Sequence, residues 1–111
     1  MVGIERFTLT DSRESVIDTL ATLLVEAYQD WQGGIDRRCE LTHDGTGNLG
    51  QYVNQAIAIH SEVGFAAGTV STLLIVAEQL NVFDEVNNLV RERVGDHVAD
   101  DWGMPAHREV A

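Results

Sequence analysis

Chemistry in this chain would have to come from a few side chains. Arg91 to Val98 reads Arg-Glu-Arg-Val-Gly-Asp-His-Val, which sets His97 shortly after Arg91. Arg38 and His43 repeat the pattern, so within a short chain it discriminates little. Glu40-Leu41-Thr42-His43 has the Glu-x-x-His spacing of di-iron bundles, but such sites use it twice with two further carboxylates, and here it occurs once. Cys39 follows Arg37 and Arg38, neighbours that favour a thiolate, although a lone cysteine is more commonly a small buried hydrophobe. Cys39, His43, His60 and His97 would need the tertiary structure to bring them to the three or four ligands a metal requires. No Ser-His-Asp order, phosphate-cradling glycine loop or dinucleotide fingerprint is present.

The arginine followed by histidine at Arg91 and His97 resembles the motif of HEPN-type ribonucleases, which are small helical proteins. The resemblance covers a few residues. It implies an activity in which the histidine and arginine activate a ribose hydroxyl and stabilise the phosphate. Trp31-Gln32-Gly33 is superficially similar to the Trp-x-Gly turn of a secreted helical-hairpin family, but that family's downstream Tyr-x-x-x-Asp signal is missing.

Composition limits the setting in which any of these residues could work. The 111 residues carry 18 acids against 7 basic side chains, a net charge of −11. All the basic residues are arginine, and the acids run from Glu5 to Glu109, so they coat the body instead of forming a tail. A surface of this kind repels itself in ordinary salt, and concentrated salt screens that repulsion within a few ångströms. It suits a salt-loaded cytoplasm such as that of halophilic archaea and their viruses. It argues against binding nucleic-acid phosphates, which takes a basic face, and against docking on anionic membranes. One cysteine rules out an internal disulfide, and no basic-then-apolar leader opens the chain, so a cytoplasmic protein, or a virion component if virus-encoded, is expected.

The elements that must position these groups are helices. Asp11 with Glu14 has the spacing of a capping box, and behind it Val16, Ile17, Leu20, Leu23, Leu24, Ala27, Tyr28 and Trp31 recur at helical intervals. Gly33-Gly34 predicts the end of that helix, at about 12–32, with an irregular segment over 33–47. Residues 1–10 read as a short extended arm. Asn48 with Gln51 predicts a second cap, followed by a helix over about 49–80 that is continuous or kinked near 64–68. One stripe of this helix holds Val53, Ala56, Ile57, His60, Gly64, Ala67, Ser71, Leu74 and Ala77, and another holds Ile59, Val63, Ala66, Val70, Leu73 and Leu80. Its most apolar stretch, Val63 to Ala77, reads as too short and too polar to span a bilayer. A third helix is expected over about 82–101, with Gly95 either ending it or weakening it, and then a loose tail over 103–111.

The expectation is an all-α bundle of three main helices in a single domain, 1–102, around a long central apolar helix. Two helices with one apolar stripe each cannot surround a partner with two. The surplus face predicts self-association or docking on another protein through Ile59, Val63, Gly64, Ala66, Ala67, Gly68, Val70, Ser71 and Leu73. The functional expectation is therefore a non-enzymatic assembly or interaction subunit with no metal, cofactor, nucleic acid or membrane. The alternatives are an acidic mimic of nucleic acid that blocks a DNA-binding protein, and a ribonuclease using Arg91 and His97.

Overall fold

A computed structural model describes residues 11–43 and 49–109, with the side chains of 40–43 excepted. Within them the chain is all-helical, in the order α1 (Arg13–His43), α2 (Leu49–Gln79), α3 (Phe83–Val94) and α4 (Asp96–Asp101). The extended arm expected at 1–10 and the cap expected at Asn48 lie outside the described residues. Pairing α1 with α2 gives a long hairpin, and α3 packs across one end of it.

The first helix departs from expectation at both ends. Its cap is Ser12, whose Oγ accepts from the Ser15 amide at 3.1 Å, one residue later than the expected Asp11–Glu14 box. Glu14 then lies in the first turn, where a negative charge suits the helix dipole. At the other end α1 runs straight through Gly33-Gly34 to His43, so neither the stop nor the irregular segment expected from residue 33 onward is found over 33–43. A mid-helix glycine costs only about 1 kcal/mol against alanine, and here the missing side chain has a use. A Cβ on Gly34 would stand 2.6 Å from Cγ2 of Val63, so Gly34 is where α2 comes closest. The Gln32 amide donates to Asp36 at 3.0 Å along the same turn, and Arg37 pairs with Glu62 of α2 at 2.5 Å.

α2 is a single helix of 31 residues with no break at Gly64–Gly68. Thr69 and Thr72 donate their hydroxyls back to the Phe65 and Gly68 carbonyls at 3.0 and 2.9 Å, which satisfies two polar groups on an apolar element. By length and composition this helix is able to cross a membrane, a correction to the expectation drawn from Val63 to Ala77 alone. Only Ala66 and Ala77 of it are buried.

Asn81 ends α2 in the left-handed region, at φ 59°. Its amide bonds to the Glu78 carbonyl at 3.0 Å and that of Val82 to Ala77 at 2.9 Å, the paired bonds of a Schellman cap. Ala77 and Val82, which this motif brings together, are both buried. The helix expected over 82–101 divides at Gly95, whose φ of 88° takes it out of the helical region. The same cap recurs after α4: Gly103, at φ 76°, bonds to Asp100, and Met104 bonds to Ala99.

Leu20, Ala21, Leu24 and Tyr28 of α1 meet Ala77, Val82, Val86, Val90, Ala99 and Met104 in one core. The Tyr28 ring stacks on Trp102 with centroids 4.8 Å apart. All of this sits where α3 and α4 cover the hairpin. Among the described residues, the far half of the hairpin is two helices alone. With extents of 55 × 42 × 17 Å and a radius of gyration of 17.7 Å, against about 13 Å for a compact chain of this length, the molecule is a thin plate.

Candidate functional site

The groups that could do chemistry fall in different parts of the fold. Arg91 is 6% exposed, and every one of its guanidinium nitrogens donates within the chain. Nη1 reaches Asp96 at 3.0 Å, Nη2 reaches Asp100 at 2.6 Å and the Met104 carbonyl at 3.0 Å, and Nε reaches the Pro105 carbonyl at 2.6 Å. The bond it donates to Asp100 raises its pKa above the usual arginine value; desolvation opposes this and the bond to Asp96 adds to it. Asn87 donates to the same Pro105 carbonyl at 3.0 Å, and Asn88 bonds to the main chain of Arg108. The stretch expected as a loose tail is thus drawn back along α3 over 104–108. Arg91 is a hub that ties α3, α4 and this segment together.

His97, its expected partner in catalysis, points the other way. Its side chain is 93% exposed on α4 and lies 3.7 Å from Asp101. One member of the pair is saturated with acceptors and the other stands in solvent, so the structure does not assemble them into a phosphate site. Cys39 is exposed near the end of α1, not a buried hydrophobe. The side chains of Glu40 and His43 lie outside the described residues. His60 lines an open cleft of about 440 Å³ together with Arg38, Tyr52, Val53, Ala56, Ile57, Ile59 and Ser61. Among the described residues, no three of His, Cys, Asp and Glu converge.

The feature that remains is the long side of α2. The residues expected as one interface separate into two faces. Ala66 is buried and Ile59, Val63, Val70 and Leu73 are half-buried on the side toward α1, where Val63 meets Gly34 and Val70 and Leu73 join the core. Gly64 and Gly68 are exposed on the opposite side, where a Cβ on either would meet nothing within 4 Å, while Ala67 and Ser71, also exposed, border a cleft with Tyr28, Trp31 and Trp102. Sequence reasoning missed the exposed isoleucines of this outer side, Ile57 at 59% and Ile75 at 53%. They share its helical row with Gly64 and Gly68, at intervals of seven, four and seven residues, a spacing that periodicity alone makes visible. Glu62 and Glu78 are the only acids on α2, and Glu62 is engaged by Arg37, so the outer row carries no charge between Ile57 and Ile75.

In comparisons with known proteins, no family model, no curated protein and no solved structure matches this chain, so its function has to be argued from the site itself.

Proposed function

We propose that this chain is a non-enzymatic helical assembly subunit that self-associates through the outer side of α2, in a salt-rich setting such as a halophilic cell or one of its viruses. The observation that carries the reading is the exposure of α2. It is 31 residues long and apolar over most of its length, yet only Ala66 and Ala77 are buried. Monomers rarely leave apolar patches beyond a few hundred Å² in water. The charge supports the same reading. Copies with a net charge of −11 repel one another over most of their surface, and the long side of α2 is a strip where they can meet without opposing acids.

Light scattering in molar salt at micromolar concentration tests the proposal. A mass at a multiple of 12.2 kDa is expected. A mass of 12.2 kDa across the concentration range sinks self-association.

A further inference from the structure

Resting on that reading, we infer that the occupant of the α2 outer side is the same helix of a second copy, laid antiparallel about a two-fold axis beside residue 66, so that assembly closes as a dimer. The row Ile57, Gly64, Gly68, Ile75 reads the same in both directions. Gly64 and Gly68 lie two residues either side of position 66, and Ile57 and Ile75 nine residues either side. Reversing one helix against the other therefore sets Ile57 beside Ile75 of its copy and Gly64 beside Gly68 of its copy, and the same pairs form again across the axis. That is the condition for an isologous contact, in which one patch is complementary to itself. A head-to-tail contact needs two different patches, and this row supplies one.

Shape and charge agree with that occupant. The two glycines at the centre leave a shallow saddle with open space over both, and the isoleucines rise at its ends. Two such rows mesh with close backbones at the middle and aliphatic packing outside. A helix of this length is about 46 Å long and 10 Å across, so its outer side presents roughly 500 Å² in projection. The flanking Phe65, 79% exposed and one residue from the axis, extends it toward the ~800 Å² per partner of a standard interface. No acid in the row faces its symmetry mate.

Disulfide trapping reads the geometry directly. In a Cys39→Ser background, Ile57→Cys and Ile75→Cys are made as separate proteins, then mixed and oxidised in molar salt. The mixture is expected to give a covalent species of twice 12.2 kDa, and neither protein alone to give one, because like positions stand about 27 Å apart across the axis. Self-linking of each variant with no mixed product means a parallel arrangement and overturns the inference while leaving self-association intact. A 12.2 kDa mass for the unmodified chain overturns both. Flotation with phosphatidylcholine vesicles covers the remaining occupant: co-flotation places lipid on α2 and overturns the inference. Gly68→Leu guards against misfolding, since its side chain enters open space within the chain. It should keep the helical signal while weakening the dimer at least tenfold, and an unchanged dimer also counts against the inference.

Discussion

Arg91 shows how a residue type that suggests catalysis can serve as scaffold. Its Nε and Nη2 hold the Pro105 and Met104 carbonyls, and its outer edges hold Asp96 and Asp100. Arg91→Met therefore strands the Met104 carbonyl and leaves the Pro105 carbonyl to Asn87 alone, whereas Asp96→Asn or Asp100→Asn only removes the charge from one exposed partner. The arginine variant should lower the melting temperature more than either aspartate variant. It should also open 104–108 to limited proteolysis, and equal digestion of wild type and variant counts against the hub. Tyr28 supplies a pH test. Burial pushes its hydroxyl above the ordinary tyrosine value, so the folded chain keeps that proton to higher pH than the unfolded chain does. The associated stability is fully present below about pH 10 and is lost as the pH climbs through the raised value. Thermal melts across that range should fall more steeply for wild type than for Tyr28→Phe.

At the scale of the element, the two neighbouring glycines of α1 give opposite predictions. A Cβ on Gly33 meets only the flexible end of Arg37 at 3.6 Å, so Gly33→Ala should stabilise by about 0.5–1 kcal/mol through helix propensity. A Cβ on Gly34 runs into Val63 at 2.6 Å, so Gly34→Ala should destabilise by about 1–3 kcal/mol through overpacking. Chemical denaturation of both variants, with Val63→Ala as the relieving change for the second, measures the difference. Leu24 is fully buried where α1 enters the core, and Leu24→Ala should cost about 2–5 kcal/mol in the same assay.

For the whole molecule, charge and shape act together. A thin plate with a net charge of −11 keeps its acids near one another and near water, and little of the chain lies deep enough to outweigh their repulsion. Circular dichroism should show a lower melting temperature at low ionic strength than in molar salt, where the screening length falls to about 3 Å. Equal melting temperatures in both would remove the argument for a salt-rich setting. Salt should also favour assembly, since copies that dock on α2 bring their acidic flanks closer together.

The helical class, the break at Asn81 and the apolar length of α2 were legible because each rests on local chemistry: side-chain period, a residue that tolerates the left-handed region, and composition. The row from Ile57 to Ile75 was equally legible as a spacing. The sequence could not say which side of α2 would face α1, because both stripes are apolar and periodicity assigns no partner. Nor could it show that Gly33-Gly34 continues a helix, since a glycine pair favours an end until a neighbour such as Val63 needs the space. Arg91 and His97 lie close in sequence, but the turn at Gly95 and the return of 104–108 along α3 bury the one and leave the other in solvent. Those outcomes belong to the tertiary structure, since each depends on which groups from distant parts of the chain become neighbours.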